Sequence, residues 1–562
     1  MLLVLAAAAM FVNDAQCTSC HQKIVHSYHD VGMSKSFYRP RQDDVIEDFS
    51  KLPFKHAKSG DVMDLRWRNG RLIFRRVNGA SVFEQPVDWI LGSGHHARTY
   101  LYQTPNGELY QLPLAWYTQT KEWGMAPGYD RRDHEGVLRR ARHECLFCHN
   151  AYPARAAPAN YWSDQTLPAT LPEGIGCQRC HGPGSEHVAL ANAGADNSQV
   201  RAAIVNTGHS TDVCYECHMQ PSVAIPGLRR FGRDIYSYRP GQPLIDYLAR
   251  LDIVDAEIPR PDRFEINHHP YRLEQSRCFK ESSGRLSCLS CHDPHRKTSN
   301  VSPICLQCHP EAHGGRTLSA PTGRGGRGAQ RAPFENCPTC HMPKRRTQDV
   351  VKVMMTDHRI GVYRDLPALL APREERDPVI ADIELPDPLY RAVAAVRAGS
   401  APAARQLEKL LAAKPSAEVE PYFDLAAAQL RQKRYDAVEA TARLILARAP
   451  DHPLALEWLG LARVSQGFRD EGIALLRKAA ALDPQRVETQ YNLGLHTTGD
   501  EAIAAFERAV AGRPNFVLAW YHLGNARAAK GERAAAIAAY HRALSVDPNF
   551  VRAAKALQEV SH

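Results

Sequence analysis

A five-residue motif, in which two cysteines are separated by two residues and followed directly by histidine, occurs seven times in this chain. We number the copies motifs 1 to 7 in chain order: CTSCH at 17–21, CLFCH at 145–149, CQRCH at 177–181, CYECH at 214–218, CLSCH at 288–292, CLQCH at 305–309 and CPTCH at 337–341. They contain 14 of the 15 cysteines in the 562 residues. Any fold of this chain must therefore hold two sulfurs and a nitrogen together at seven places.

Covalent attachment of c-type haem accounts for every feature of the motif. Two thiols add across the two vinyl groups of the porphyrin, which fixes the gap between the cysteines, and the following histidine reaches the iron. Paired zinc sites do not need histidine after every second cysteine. A disulfide framework does not require fixed pairs, and a redox dithiol is expected once, near a βαβ pattern.

The sequence therefore predicts seven haem c groups. The predicted attachment residues are Cys17, Cys20, Cys145, Cys148, Cys177, Cys180, Cys214, Cys217, Cys288, Cys291, Cys305, Cys308, Cys337 and Cys340. The predicted proximal iron ligands are His21, His149, His181, His218, His292, His309 and His341. The fifteenth cysteine, Cys278 in SRCFKES, has no partner motif, and we expect a buried, unreactive thiol, with a redox or docking role as the alternative.

Each iron has a sixth position on the face opposite its proximal histidine. The candidate distal ligands in local contexts that favour ligation are His96 in GSGHHAR, His187 in CHGPGSEH, His209, the adjacent His268 and His269, His295 in CHDPH, and His358 in TDHRI. A tight turn after one haem would carry His187 or His295 to a neighbouring haem. The glycines around His96 allow the backbone to approach a ligand closely.

The first haem has a separate group of candidates. His26, His29 and Met33 are spaced three and four residues apart, so they are expected to share one helical face beside motif 1. Met33 is the predicted sixth ligand, which would raise the potential of that haem. The alternatives are that Met33 is a core residue and that His26 or His29 ligates the iron.

Changes in composition divide the chain into four segments. Residues 1–12 contain an apolar run that is too short to span a bilayer and suits a secretory signal segment with a truncated start. Residues 13–360 form the predicted heptahaem domain, with a small β insert at about 60–120 and hairpins around Asn69-Gly70 and Asn106-Gly107. Residues 361–384 are rich in proline and charge and predict a linker.

Residues 385–562 are rich in alanine and leucine and contain an internal repeat. Pro450 to Pro484 and Pro514 to Pro548 each span 34 residues, and Leu-Gly pairs follow the same spacing except for one repeat shortened near HTTGD. The segment at 520–549 resembles the tetratricopeptide pattern. We expect four repeats from 419, a degenerate one at 385–418 and a closing helix from 551. The predicted fold class is mainly α: a loop-rich haem domain with a small β insert, followed by an α-solenoid.

Four residues occupy the same position in successive repeats: Phe423, Glu457, Tyr491 and Tyr521. Tetratricopeptide stacks bind peptides or domains on the face lined by each first helix, and exposed aromatic residues often anchor such contacts. We therefore expect these residues to line a groove that docks a redox partner protein or a sister subunit. The alternative is that they pack between helices.

Several strings resemble the multihaem cytochromes c of the tetrahaem-carrier and octahaem hydroxylamine-oxidoreductase superfamily: CHGPGSEH, SRCF…GRLSCLSCHDPH and CPTCHMPK…DHRI. The whole chain is similar to exported bacterial multihaem cytochromes that end in tetratricopeptide repeats, including the stretches GSGHHARTYL, LPLAWY and MAPGYD…ECLFCHNAYP. The resemblance implies that His187, His295 and His358 are distal ligands. Relatives often carry histidine near the start of the first helix where this chain has Met33.

Three functions are consistent with these features: electron transfer through seven haems, oxidoreduction of a small nitrogen or sulfur compound, and a structural role in a redox filament or homo-oligomer. Electron transfer is favoured for two reasons. Nitrite-reducing members of the family that this chain resembles replace a proximal histidine by lysine, and no motif here does so. The chain also has enough histidines to fill the sixth position of all seven irons. Covalent haem attachment implies a periplasmic or extracellular location. The net charge of +9 is a mild bias without a nucleic-acid motif, and no later stretch is apolar enough to span a membrane.

Overall fold

The computed structural model describes residues 10–153, 161–205, 211–219, 228–298, 300–310 and 336–561. Apart from α1, the helices before residue 385 are short: α1 (Ala15–Tyr28), α2 (His143–His149), α3 (Gln178–His181), α4 (Ser185–Asn192), α5 (Asn197–Ala202), α6 (Asp212–His218), α7 (His269–Glu274), α8 (Arg277–Glu281), α9 (Cys288–Cys291), α10 (Ser302–Cys308), α11 (Cys337–His341) and α12 (Leu366–Leu370). Every motif lies on or at the edge of one of them. A helical turn suits the motif because cysteines three residues apart share one face.

The strands are β1 (Phe37–Tyr38), β2 (Phe54–Lys55), β3 (Val62–Arg68), β4 (Arg71–Asn78), β5 (Ser81–Pro86), β6 (Trp89–Leu91), β7 (Ala97–Gln103), β8 (Leu109–Tyr117), β9 (Glu122–Met125), β10 (Arg140–Ala141), β11 (Leu228–Arg229), β12 (Leu248–Ala249), β13 (Asp252–Asp255), β14 (Lys344–Arg346), β15 (Met354–Thr356) and β16 (Ile380–Glu384). The hairpin at Asn69-Gly70 is confirmed: both residues have positive φ, 50° and 73°, as a two-residue turn requires. The second predicted hairpin pairs β7 with β8 across a longer loop.

The β region is larger than the small insert predicted at 60–120. One sheet has the order β1-β6-β7-β8-β10, with β9 also on β8, and a second has the order β2-β3-β4-β5. The prediction was too small because β1, β2 and β10 have only two residues each and show no alternation. Their pairing with other strands, such as Phe37 with Leu91, defines them.

The predicted linker at 361–384 is attached to the preceding region along its length. It contains α12, and its last strand, β16, pairs antiparallel with β13. The Arg376 guanidinium lies 2.7 Å from Asp255 and 2.6 Å from Glu257. Proline and charge predict a linker, and the structure shows that charged side chains of this segment form ion pairs with the preceding region.

The repeat region consists of α13 (Pro388–Arg397), α14 (Ala403–Ala413), α15 (Glu420–Arg431), α16 (Tyr435–Arg448), α17 (Pro453–Ser465), α18 (Arg469–Leu482), α19 (Val487–His496), α20 (Gly499–Gly512), α21 (Val517–Ala529), α22 (Arg533–Val546) and α23 (Val551–Ser561). The shortened repeat turns from α19 to α20 through two residues. The Leu-Gly pairs have a packing reason, because a Cβ at Gly494 would lie 2.7 Å from the Phe506 ring, and one at Gly460 2.9 Å from the Gly472 carbonyl oxygen.

The last helices of the repeat array and the β region share one hydrophobic core. Buried residues of β3, β4 and β8 form a single cluster with Val517, Tyr540 and Val546 from α21 and α22. A buried ion-pair network lies beside it, in which Arg513 contacts Glu108 at 2.5 Å and Glu488 at 2.7 Å. The repeat array is therefore packed onto the rest of this chain.

Candidate functional site

A large cavity runs through the region that carries the motifs. Its volume is about 2960 Å³, and its walls contain both cysteines and the histidine of each of motifs 1 to 5. Pockets for one small molecule usually measure roughly 300–1,000 Å³. The cavity therefore has room for several large cofactors, and the predicted attachment residues of motifs 1 to 5 line it.

Four motif histidines each lie opposite a second histidine from elsewhere in the chain. The ring-centre distances are 6.2 Å for His21–His187, 5.9 Å for His181–His295, 6.0 Å for His218–His269 and 6.1 Å for His292–His358. Two imidazoles bonded to one metal from opposite sides, through bonds of about 2 Å, have ring centres roughly 6 Å apart. This uniform spacing fits an iron between the two rings of each pair.

Hydrogen bonds at Nδ1, which leave Nε2 available to a metal, support the same interpretation. Nδ1 lies 2.8 Å from the Val200 carbonyl oxygen in His187 and 3.0 Å from the Thr356 oxygen in His358. The motif residue His181 has the same contact to the Val205 oxygen at 3.1 Å. A carbonyl only accepts, so Nδ1 carries the proton and Nε2 is the basic nitrogen, as in most metal-ligating histidines.

Local structure explains how two of the distal candidates reach their positions. Gly182 ends α3 with a φ of 74°, which turns the chain into α4 and carries His187 back toward motif 1. His358 lies two residues after the end of β15 and is held through its contact with Thr356. Burial lowers the pKa of His358 to about 4, so the ring is neutral near pH 7, the form that binds metals.

The adjacent residues His268 and His269 have different environments. His269 is the ring opposite His218, and it also lies 4.5 Å from the ring of His358. His268 is turned toward Glu265, with Nε2 3.8 Å from the carboxylate. Of this pair, the geometry therefore brings His269 to a motif histidine.

Met33 does not share a helical face with His26 and His29, so that prediction is wrong. Helix α1 ends at Tyr28, and Met33 lies in a separate 3₁₀ turn, Gly32–Lys35, because the intervening Val31 is extended. Met33 lines the cavity, but the ring opposite His21 is that of His187. The geometry favours His187 over Met33 for this position.

The remaining candidate ligands and two motif histidines do not belong to any of the four pairs. Both His29 and His96 line the cavity, and His96 has a buried Nδ1 without a hydrogen bond. Within the ranges that the structure covers, neither His149 nor His309 faces a second imidazole at the spacing of the four pairs. The predicted ligand His209 lies outside the described residues.

Thiols from different motifs also contact one another. The pairs in side-chain contact are Cys17–Cys177, Cys148–Cys217, Cys214–Cys288 and Cys305–Cys337. They connect motif 1 with 3, 2 with 4, 4 with 5, and 6 with 7. Cys278 is half-buried on α8, and burial raises the pKa of its thiol, as expected for an unreactive cysteine.

Sequence analysis missed a buried junction where motifs 2, 3 and 4 meet. Phe147, Arg179 and Glu216 occupy the same position, just before the second cysteine, and are exposed by only 1%, 1% and 2%. The Arg179 guanidinium lies 4.3 Å from the Phe147 ring centre and 3.4 Å from the Glu216 carboxylate. Burial raises the pKa of Glu216 to about 8, while Arg179 opposes that rise. The signal was available, since consecutive motifs carry oppositely charged residues, Arg179 and Glu216, at this one position.

The predicted partner groove is not an open surface. Phe423 and Glu457 are exposed by only 2% and 3%, and Tyr491 and Tyr521 are half-buried. The Tyr491 ring lies 4.7 Å from Phe516, and the Tyr521 ring 5.5 Å from Phe550. These positions lie between helices, so the prediction of an exposed groove at Phe423 and Glu457 is wrong.

Comparison with known proteins bears on the repeats. Residues 517–550 match the tetratricopeptide repeat family. Similar solved structures include MamA, 27% identical over 25% of this chain and 80% of MamA, with a TM-score of 0.24. A thermophilic tetratricopeptide-repeat protein of Thermus thermophilus is 22% identical over 30% of this chain and 97% of its own, with a TM-score of 0.27.

A third solved structure, YrrB, is described as a tetratricopeptide-repeat protein with an unusual peptide-binding site. It is 18% identical over 30% of this chain and 90% of its own, with a TM-score of 0.26. No curated protein matches the chain. Across the described ranges, no helix has the length and apolarity needed to cross a membrane.

Proposed function

We propose that this chain is an exported multihaem c-type cytochrome that transfers electrons, with one haem c attached at each of its seven motifs. The observation that carries the proposal is the set of four histidine pairs at 5.9–6.2 Å, each joining a motif histidine to a distant histidine. Bound haem supplies one-electron oxidation and reduction. The cysteines of each motif would hold the porphyrin, and the paired imidazoles would hold the iron.

The protein's contribution is to fix the orientation of these imidazoles. Carbonyl oxygens hold Nδ1 of His181, His187 and His358, which sets the rotation of each ring. The cross-motif thiol contacts would make the cofactors of motifs 1 and 3, 2 and 4, and 4 and 5 neighbours. Such an arrangement suits transfer along a series of sites rather than chemistry at one isolated site.

The tetratricopeptide repeats indicate interaction with proteins, and we propose that they dock a redox partner protein or a sister subunit. The docking surface would differ from the four predicted groove residues, which pack between helices. A periplasmic or extracellular location follows from the proposed covalent haem attachment, which takes place outside the cytoplasm.

Mass and spectra of the purified protein test this proposal. The intact mass should exceed that of the processed chain by seven haems, and the pyridine haemochrome assay should give the same number. Electron paramagnetic resonance of the oxidised protein should show low-spin ferric signals from paired imidazoles. Six or fewer haems after complete maturation would refute the assignment, and a major high-spin signal would favour the oxidoreductase alternative.

A further inference from the structure

A four-residue segment between motifs 2 and 3, Tyr161 to Asp164, lies against the repeat array. The Trp162 ring lies edge-on to Trp458 of α17, with centres 5.5 Å apart, and 6.4 Å from Phe423 of α15. Trp162 belongs to the same hydrophobic cluster as these two repeat residues. The aromatic position that was expected to receive a partner is therefore covered by this chain's own tryptophan.

A charged group of the repeats contacts Tyr161, the residue before Trp162. The Arg397 guanidinium lies over the Tyr161 ring at 3.9 Å. Two hydrogen bonds of 2.9 Å to the fully buried Asp424 hold that guanidinium in place. A cation over an aromatic ring is attracted most strongly when both groups are desolvated.

The acidic end of the segment has its own partner. The Asp164 carboxylate forms an ion pair with Arg486, in the turn that leads into α19. Glu457 lies 3.2 Å from the Nε of Arg486 and fixes it from the repeat side. Each of the two aromatic side chains and the carboxylate of this segment thus contacts a repeat side chain that is itself held in place by packing or by an ion pair.

The same segment contacts the residues immediately before motif 2. Arg142 donates to the Tyr161 carbonyl oxygen at 2.7 Å. The backbone N–H of His143 donates to the side chain of Gln165 at 2.9 Å, and its Nε2 lies 3.2 Å from the Asp164 carbonyl oxygen. A continuous set of contacts therefore runs from the repeats to the start of α2, which carries Cys145 and His149.

We propose that the repeats form a binding site for a short segment with two aromatic residues and an acidic one, that residues 161–164 occupy it, and that this contact positions motif 2. The positioning of a haem rests on the proposed function, whereas the binding of the segment does not. Repeats of this kind commonly bind another protein, and here their ligand is part of the same chain.

Hydrogen exchange followed by mass spectrometry on the full-length holoprotein tests the contact without reference to haem. The variants are Trp162→Ala and Asp164→Asn, with Arg477→Met as a control that breaks an exposed ion pair of the same array. Amides at 142–149 and 161–165 should exchange about tenfold faster in the first two variants, which corresponds to about 1.4 kcal/mol of local stability. The control should leave both segments unchanged, and Trp162→Phe should restore most of the protection.

Redox titration of the same variants tests the positioning role. About one seventh of the haem absorbance change should shift its midpoint in Trp162→Ala and Asp164→Asn, while the rest remains as in the parent. Unchanged exchange at 142–149 in both variants would overturn the inference, as would an acceleration spread evenly over the chain in the nearly isosteric Asp164→Asn. A parent protein without haem would refute the proposed function, and the exchange experiment would still decide whether the segment is bound.

Discussion

Replacing Glu108 by glutamine removes the charge at the centre of the contact between the repeat array and the β region. The Glu108 side chain is 3% exposed and receives two hydrogen bonds of 2.5 Å from Arg513. It also lies 2.8 Å from Arg140. The substitution keeps the shape of the side chain, so its effect reports mainly on the lost charge.

The expected loss in the free energy of unfolding depends on how deeply Arg513 and Arg140 are buried, because the substitution leaves their charges without Glu108. Removing one member of a buried ion pair costs roughly 3–5 kcal/mol, because the remaining charge is uncompensated. Glu488 stays 2.7 Å from Arg513 and 3.1 Å from Arg140, so some compensation remains. We therefore expect Glu108→Gln to lower the free energy of unfolding by about 3 kcal/mol, the lower end of this range.

Urea denaturation of the full-length protein, followed by circular dichroism at a helical wavelength, measures this loss. With a slope of roughly 3 kcal/mol per molar, the midpoint of the first transition should fall by about 1 M. The matched control is Glu501→Gln, which breaks an ion pair with Arg477 whose side chains are 40% and 56% exposed. That control should cost about 0–1 kcal/mol. Equal shifts in the two variants would refute the idea that buried charge holds the array in place.

Three further substitutions test the packing, the ligand assignment and the pH dependence. Gly524→Ala should lower the melting temperature, since its Cβ would overlap the Tyr540 ring, and overpacking typically costs about 1–3 kcal/mol; an unchanged melting temperature would contradict this close approach. His187→Met should keep the haem count and raise the reduction potential of one haem, because axial methionine gives a higher potential than axial histidine. The control is His541→Met, at an exposed position of the repeats. A redox titration of His187→Met identical to that of the parent would exclude His187 as a ligand. Burial would raise the pKa of Glu488, but the charges of Arg513, Arg486 and Arg140 hold it below its ordinary value, so this carboxylate stabilises the fold at neutral pH and that contribution is lost as the pH falls. Glu488→Gln should therefore lower the free energy of unfolding at pH 7 and make it fall less steeply as the pH is lowered. Plots of unfolding free energy against pH that run parallel in parent and variant would contradict this.

The local chemistry of this chain could be predicted from its sequence. A motif of five residues sets the spacing of two thiols and an imidazole. The Asn69-Gly70 turn depends on residues that tolerate positive φ, 50° and 73° here. The helix pairs of the repeats follow from the period of leucine, glycine and proline. Each of these features depends on neighbours within a few residues, which is the range over which sequence patterns act.

Only the tertiary structure decided which distant groups meet. Met33 was the candidate for the first haem and His187 a distal candidate with no assigned haem, and the turn at Gly182 places His187 opposite His21. The equivalent repeat position was expected to be an open groove, yet Trp162 covers Phe423 there. The repeat period determines which side of a helix a residue lies on, but it carries no information about what packs against that side. That choice depends on contacts between residues hundreds of positions apart, whose combined burial outweighs any local preference.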